Sequence, residues 1–375
     1  HSPVSAMKKA ALDSGKTGYW QAVGWTGLVS GVLILSFYSV LAGICINYIG
    51  IAAMPSTEIT SVEQYAQVTG SPLRLFFWHS IFIGLNIAII ASGVIGGIER
   101  MVRLLMPMLF ILMVVMLINA MINGDFKAGL NYLFAPDFSK VSSETFLSAM
   151  GQAFFSLSLG MGSIMCYGSY MRKSENIFKT SLTVAGLDTL IAILAGLAIF
   201  PMIFAYGMEA QQGTGLVFKS LLAIFIEMPL GNLIGPAFFM LLSIAALSSA
   251  ISLLEPSVAY FEENKIVSRF AAAVILGLLI WFIGIGSVLS LNNWESTFFL
   301  GERNFMDSIV YLTFNFLMPL GGMLVAVFAG WFFKPKLAME ELSGAHLNIF
   351  KTWRFFIKFI SPVLVASVFV YQLTS

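Results

Sequence analysis

The stretch that decides the fold is Phe154-Phe155-Ser156-Leu157-Ser158-Leu159-Gly160-Met161-Gly162, which interrupts an otherwise apolar segment at residues 146–170. Its hydroxyl groups and glycines fall where a membrane-spanning helix would bury its middle. Backbone groups left unpaired at that depth are costly, so such a break persists only where it lines a cavity or holds a ligand. Broken helices of this kind are typical of substrate and ion sites in secondary transporters. The break is therefore the first candidate binding site.

The composition of the chain is that of a membrane protein. Hydrophobic residues make up 58% of the 375 residues and charged residues 10%, whereas a soluble domain carries about 25% charged residues. The apolar runs are about 20 residues long, which predicts membrane helices, so the expected fold class is an all-α polytopic membrane protein. Nine spans are predicted, near residues 27–50, 75–96, 101–122, 146–170, 181–206, 231–260, 268–288, 305–333 and 355–374.

The basic residues predict how these spans are oriented. If His1 lies in the cytoplasm, Lys358 falls at a span edge and five of the other basic residues lie outside, namely Arg74, Lys127, Lys140, Lys219 and Arg303. The inside loops then hold fourteen, namely Lys8, Lys9, Lys16, Arg100, Arg103, Arg172, Lys173, Lys179, Lys265, Arg269, Lys334, Lys336, Lys351 and Arg354. Because cytoplasmic loops are enriched in Lys and Arg, we expect a multi-pass protein of the cell membrane, plasma or inner, with its C-terminus outside.

The outside loop at 207–230 has an amphipathic pattern. Its apolar residues follow helical spacing and are Leu216, Val217, Leu221, Leu222, Phe225 and Ile226. This pattern predicts a short helix over the outer mouth of the protein. Such a helix could act as a lid, or it could lie at the membrane interface without a gating role.

Two clusters offer the oxygen ligands that sodium prefers. The first pairs Ser156 at the break with Asp188, an acid placed deep inside a predicted span. A carboxylate in a membrane is costly without a counter-charge, so it suggests an ion site by default. A structural, hydrogen-bonded acid and a proton-carrying acid remain the alternatives.

The second cluster is Ala245, Ser248 and Ser249, which share one helix face at positions i, i+3 and i+4. Two hydroxyl groups and a locally freed carbonyl could converge there on one cation. Small and hydroxylated residues are also common where membrane helices pack closely. Close helix packing without ion binding is therefore the alternative role of these three residues.

Ile34 and Tyr38 share a face of the first span. A phenol at that depth needs a hydrogen-bond partner, which could be a substrate carboxylate or a backbone carbonyl.

Other classes of function find little support in the sequence. The sequence has no Cys/His spacing typical of zinc, no Ser/His/Asp arrangement and no glycine-rich phosphate motif. The net charge of +1 gives no indication of nucleic-acid binding. We therefore expect a transporter rather than an enzyme.

Taken together, these motifs resemble the neurotransmitter:sodium symporter family, in its short, eleven-helix bacterial amino-acid branch. The resemblance covers nearly the whole chain. It rests on three stretches in order: Gly151-Gln152-Ala153 leading into the break, with Tyr167-Gly168-Ser169-Tyr170; Gly215-Leu216-Val217-Phe218 with Met228-Pro229-Leu230-Gly231; and Ala245-Ala246-Leu247-Ser248-Ser249 with Glu255-Pro256.

The resemblance implies two five-helix repeats related by inversion. The first span here resembles the family's third helix and the broken span its sixth, so residues 1–375 would form one partial transporter domain holding helices three to eleven. The chain begins with His1 rather than Met, on a polar stretch, and we expect an N-terminal truncation. The first two helices would then be missing, and the first of these contributes ligands to both sodium sites in the family.

The resemblance also implies roles for particular residues. Ser156 and Asp188 resemble the ligands of one sodium ion, and Ala245, Ser248 and Ser249 those of a second. The substrate would contact Ile34, Tyr38, Phe155, Ser156, Ser158, Gly160, Met161, Ser249 and Leu253, with Phe155 closing over it as an outer gate.

The implied function is sodium-coupled symport of a hydrophobic or aromatic amino acid into the cell by alternating access. Many relatives carry an amide where this chain has Asp188, and chloride-dependent relatives carry a serine where it has Ala192. Since a fixed carboxylate can replace the charge of chloride, we expect no chloride requirement. A proton-coupled amino-acid permease and a degenerate, non-transporting membrane protein are the alternatives.

Overall fold

The computed structural model describes residues 1–55, 58–172, 175–210, 213–342 and 347–374. Within these ranges the chain is almost entirely helical, as the long apolar runs predict. The helices are α1 (Pro3–Asp13), α2 (Gln21–Ala53), α3 (Ser61–Thr69), α4 (Pro72–Ala91), α5 (Arg100–Asn123), α6 (Phe126–Phe134), α7 (Ser143–Ser156), α8 (Ser163–Tyr170), α9 (Ile177–Ala205), α10 (Leu221–Glu227), α11 (Gly231–Glu263), α12 (Arg269–Ser290), α13 (Phe305–Tyr311), α14 (Met318–Val327), α15 (Pro335–Glu341), α16 (Leu347–Phe355) and α17 (Ser361–Thr374).

Eight helical segments of the described chain are long and apolar enough to cross a membrane. They are Gly18–Ala53, Pro72–Ala91, Val94–Asn123, Ile177–Ala205, Gly231–Glu263, Arg269–Ser290, Phe305–Phe332 and Asn348–Tyr371. Each overlaps one of the nine predicted spans. The remaining predicted span, 146–170, consists of α7 and α8, two shorter helices separated by the break.

Helix α2 lies at the centre of the packing, against α11, α4, α12 and α14. Two glycines show how closely its neighbours approach. A Cβ on Gly31 would lie 2.8 Å from the Leu253 carbonyl oxygen, and one on Gly43 would lie 2.8 Å from the backbone of Trp78. Small residues let membrane helices meet backbone to backbone, which is how helix pairs associate where lipid provides no hydrophobic drive.

A buried histidine ties three of these helices together. His79 on α4 lies 3.0 Å from the Ser39 hydroxyl of α2 through Nδ1 and 3.2 Å from the Trp281 carbonyl of α12 through Nε2. The side chain is fully buried. Since both ring nitrogens have hydrogen-bond partners on other helices, we interpret His79 as a structural residue that joins α4 to α2 and α12.

The span Phe305–Phe332 is not a regular α-helix. A π-helical turn at Leu312–Leu317 separates α13 from α14, and a second one follows α14 at Phe328–Phe332. A π-turn inserts an extra residue and shifts every later side chain around the helix. The first of these turns carries Phe314, which reaches the candidate site.

The predicted helix over residues 216–226 is confirmed. A π-helical turn at Leu216–Ser220 leads directly into α10, and the apolar residues of both are packed into the core with α2 and α11. An aromatic cluster anchors the segment, because the Phe218 ring lies 4.9 Å from that of Tyr48 and 6.1 Å from that of Phe239.

Candidate functional site

The break in the fourth predicted span, 146–170, lies where the sequence predicts it. Helix α7 ends at Ser156 and α8 begins at Ser163. Between them, Ser158, Gly160 and Gly162 have φ angles of 53°, 81° and 79°. Left-handed backbone conformations are natural for glycine and costly for other residues. The two glycines therefore make the non-helical turn possible, and Ser158 is the residue that bears strain.

The turn is packed tightly against two other helices. A Cβ on Gly160 would overlap the carbonyl oxygen of Met318 at the start of α14. A Cβ on Gly27 of α2 would lie 2.9 Å from the backbone nitrogen of Gly162. The hydroxyl of Ser163 also donates to the Ser252 carbonyl of α11 at 2.8 Å. The break is thus held in place by backbone contacts as well as by its own conformation.

The first predicted ion cluster is brought together by the fold. The Ser156 hydroxyl donates a 2.9 Å hydrogen bond to Oδ2 of Asp188 on α9. Ser156 is exposed and Asp188 is partly exposed, because the described helices leave this face of α7 and α9 uncovered. A carboxylate and a hydroxyl side by side form an oxygen-rich, negatively charged corner that suits a hard cation.

The second predicted cluster lies on one face of α11. The Ser248 hydroxyl donates to the Ala245 carbonyl at 2.9 Å, so these two oxygens lie within reach of one cation. Ala245 and Ser248 are half-buried and Ser249 is exposed. The expectation of a locally freed carbonyl is wrong, because α11 is continuous from Gly231 to Glu263. To bind a cation, the Ala245 oxygen would have to give up the hydrogen bond from Ser248, whose hydroxyl would then turn its own lone pairs toward the same ion.

Tyr38 connects the second cluster to the predicted substrate residues. Its phenol lies close enough to the side chain of Ser249 to interact with it electrostatically. Ile34, Met161 and Leu253 are buried in one hydrophobic cluster with Tyr38 at its margin. A polar tyrosine head beside an apolar wall is the arrangement expected for binding a molecule with a charged end and a hydrophobic side chain.

Phe155 lies apart from this apolar wall. Its side chain is 38% exposed, and its ring meets that of Phe314 edge to face at 5.0 Å. Phe314 also contacts Phe37 of α2 at 6.1 Å. Sequence reasoning missed Phe314, since the π-turn that directs its ring has no clear sequence signal.

A cavity of about 400 Å³ lies between α7, the span Phe305–Phe332 and α17. Of the predicted site residues it contacts Phe155, whereas Tyr38, Ser156 and Met161 are not part of its lining. The cavity is therefore adjacent to the candidate site and distinct from it.

A fully buried acid lies further along α11. The Glu255 side chain is shielded from solvent by the surrounding helices. It accepts hydrogen bonds from the Tyr170 hydroxyl at 2.7 Å and from Arg269 Nη2 at 2.5 Å. Arg269 in turn binds Glu262 at 2.9 Å and the Ile90 carbonyl at 2.9 Å. This network joins α8, α11, α12 and α4. The sequence signal that could have predicted it is Arg269, which begins the helix that follows the Glu255-Pro256 helix.

Comparisons with known proteins agree with these features. The model of the sodium:neurotransmitter symporter family matches residues 72–375. An uncharacterized sodium-dependent transporter of Haemophilus influenzae is 33% identical over 99% of this chain and 83% of its own length. The sodium-dependent transporter YhdH of Bacillus subtilis is 32% identical over 98% of this chain and 82% of its own length.

A solved structure has the same fold as this chain. The crystal structure of MhsT in complex with L-phenylalanine matches with a TM-score of 0.88 and 38% sequence identity, over 99% of this chain and 87% of the MhsT chain. The predicted all-helical membrane transporter fold is thereby confirmed. The chain belongs to the sodium:neurotransmitter symporter family, and it is a sodium-dependent secondary transporter rather than an enzyme.

Proposed function

We propose that this chain provides the transport core for sodium-coupled uptake of a hydrophobic or aromatic amino acid by alternating access. The observation that carries the proposal is the Ser156–Asp188 pair at the helix break, 2.9 Å from oxygen to oxygen. An unwound helix with a carboxylate beside it can bind a cation and a zwitterion together. The phenylalanine bound to MhsT, a structure 38% identical to this chain, supports the substrate class.

Two sodium sites are proposed. Ser156 and Asp188 would hold the ion that also touches the substrate carboxylate, and the Asp188 charge would be balanced by that ion. Ala245, Ser248 and Ser249 would hold the second ion. Loss of the second ion to the cytoplasm would free the inner pathway, so this site would couple the sodium gradient to release of the substrate.

The substrate would lie between these ions and the apolar wall. The Tyr38 hydroxyl, which lies near the Ser249 side chain, would donate to the substrate carboxylate. Ile34, Met161 and Leu253 would contact the side chain, with Ser158 and Gly160 supplying the unwound backbone. Met161 is pliable and adapts to varied apolar shapes, which favours a hydrophobic or aromatic amino acid. Phe155, resting against Phe314, would close over the substrate from outside.

Residues 1–375 are proposed to be one transporter domain that is completed by further chain. The exposure of Ser156 and Ser249, both expected to bind ions in a site shielded from water, supports this. The relatives are longer, since the chain spans 83% and 82% of the two bacterial transporters. Additional helices over this face would bury both sodium sites and supply the ligands that α7, α9 and α11 do not.

Chloride is proposed to be unnecessary. Asp188 brings a fixed negative charge, and a chloride ion beside it would place two anions in one small space. The orientation proposed is His1 in the cytoplasm and the C-terminus outside, supported by the distribution of Lys and Arg. In that orientation α10 lies at the outer mouth, where it would serve as the lid.

The experiment that tests the proposal is sodium-driven uptake with a serine variant. Ser249→Ala, made in the protein translated from its complete reading frame, should raise the sodium concentration for half-maximal uptake while the amount of protein in the membrane stays near that of wild type. Ser243→Ala is the matched control on the same helix, because the Ser243 hydroxyl bonds to the Phe239 carbonyl of its own helix. Replacing chloride by gluconate should leave uptake unchanged. Equal losses of expression and of sodium dependence in Ser249→Ala would assign Ser249 a folding role only.

A further inference from the structure

The start of the last span carries a basic stripe that the transport proposal does not use. Lys351, Arg354 and Lys358 follow one another at spacings of three and four residues in the continuous helical segment formed by α16, the π-turn Phe356–Ile360 and α17. Lys351 and Arg354 share a face of α16, whereas the π-turn changes the direction of the Lys358 side chain relative to that face. The segment Asn348–Tyr371 is apolar enough to span a membrane, so three cations lie within its first turns.

The three cations of this stripe lie at different depths along a membrane-spanning helix, unlike charges on a helix face that is fully in water. Seven residues of helix extend about 10 Å along the axis, which is comparable to the polar interfacial layer on one side of a bilayer. Lys351 would lie at the level of the headgroups, and Lys358 would reach the edge of the hydrocarbon. A cation at that depth must either extend toward the headgroups or find an anion.

The neighbouring span holds Lys358 in a fixed position. The Trp331 indole nitrogen donates to the Lys358 carbonyl at 3.0 Å, and the Lys358 ammonium lies 4.2 Å from the centre of the Trp331 ring. Trp331 itself is exposed, as aromatic side chains are at a membrane boundary. This contact keeps the ammonium beside the lipid-facing indole instead of letting it move freely.

Arg354 shows that the stripe lacks an anion. Its Nη1 atom is buried and has no hydrogen-bond partner within the described part of the chain. The ion pairs described for this structure involve His1, Arg103 and Arg269 as cations, and none of the three stripe residues. A buried guanidinium nitrogen without an acceptor is costly. Arg354 as a whole is only half-buried, so a turn of its side chain toward the surface would let an acceptor from outside the chain remove that cost.

We propose that Lys351, Arg354 and Lys358 bind the phosphate of an anionic phospholipid, with Trp331 at the level of the glycerol backbone. Charge complementarity and depth select this partner, because a headgroup phosphate is tethered at the level where these three cations lie. Basic pockets between membrane helices are known to take such headgroups. In the proposed orientation the lipid belongs to the cytoplasmic leaflet. The inference is independent of the sodium and substrate sites.

Native mass spectrometry of the purified chain in an uncharged detergent tests this directly, with phosphatidylglycerol and phosphatidylcholine as probes. Wild type should retain phosphatidylglycerol in preference to phosphatidylcholine. The triple variant Lys351→Gln, Arg354→Gln, Lys358→Gln should bind phosphatidylglycerol about 100-fold more weakly, given about one kcal/mol for each basic residue. The control Lys8→Gln, Lys9→Gln, Lys179→Gln removes three exposed charges from the same predicted side and should bind as wild type does.

A charge-preserving variant separates lipid binding from folding. Lys351→Arg with Lys358→Arg should keep the affinity for phosphatidylglycerol, whereas a purely structural role of the lysines would lower it. Equal weakening in the control triple variant, equal retention of phosphatidylcholine, or displacement of the lipid by inorganic phosphate would each overturn the proposal.

Discussion

The Ser156 hydroxyl and the Asp188 carboxylate are joined by a 2.9 Å hydrogen bond that connects the end of α7 to the middle of α9. Ser156 is the last residue of its helix, so its hydroxyl meets the carboxylate at the point where the helix ends. This pairing turns a break in one helix and an acid in another into a single oxygen-rich corner. The following predictions concern this corner and the contacts that hold it in place.

Asp188→Asn should weaken sodium binding while the protein still folds. The amide keeps a hydrogen-bond acceptor for Ser156 but loses the charge that attracts the ion, so the sodium concentration for half-maximal uptake should rise about tenfold or more. Thr189→Ser is the control, since the Thr189 hydroxyl bonds to the Ala185 carbonyl of its own helix. An unchanged sodium requirement in Asp188→Asn would show that this carboxylate is structural.

Tyr38→Phe should lower substrate affinity with little effect on sodium affinity. The variant removes the hydroxyl that would donate a hydrogen bond to the charged substrate carboxylate, so the affinity for phenylalanine should fall about 10- to 100-fold in equilibrium binding. Tyr48→Phe on the same helix is a close control, because the buried Tyr48 hydroxyl has no hydrogen-bond partner in the described chain. Similar losses in both variants would mean that the effect comes from the packing of α2.

Gly160→Ala should destabilise the break. The residue has a φ of 81° and a Cβ would overlap the Met318 carbonyl oxygen, so strain of about 1–2 kcal/mol adds to a steric clash. Gly168→Ala is the control, because Gly168 is helical and a Cβ there meets open space. Thermal unfolding in detergent should show a clear loss for Gly160→Ala and none for Gly168→Ala, and equal melting temperatures would contradict the rigid packing of the turn.

Glu255→Gln should be strongly destabilising. Removing one partner of a buried ion pair leaves Arg269 partly uncompensated, at a cost of about 3–5 kcal/mol. Glu99→Gln breaks the exposed pair with Arg103 and should change stability little. Thermal unfolding of both variants makes the comparison, and a double variant Glu255→Gln, Arg269→Gln should recover part of the loss. Additive losses in the double variant would show that the two side chains act independently.

The sequence predicted those features that depend on local chemistry. Gly160 and Gly162 mark the break because few other residues tolerate left-handed backbone inside a membrane span. The helix around α10 follows from the spacing of Leu221, Leu222 and Phe225. These signals lie within a few neighbouring residues, so one sequence contains all the information they need.

Features that depend on how helices meet were not predictable in the same way. The Glu255–Arg269 pair joins two helices across a loop, and hydropathy does not report which faces of α11 and α12 meet. The contact of Phe314 with Phe155 depends on a π-turn that rotates the later part of its span. The continuity of α11 at Ala245 likewise corrects an expectation of local unwinding, because Ser248 satisfies its hydroxyl without opening the helix.

The most direct test of sodium-coupled amino-acid symport is uptake of radiolabelled phenylalanine into proteoliposomes, using the protein translated from its complete reading frame. An inward sodium gradient should drive accumulation above the outside concentration, and replacing sodium by potassium should abolish it. Accumulation driven by a pH gradient in the absence of sodium would contradict the account and favour a proton-coupled permease that uses Asp188 as its proton carrier.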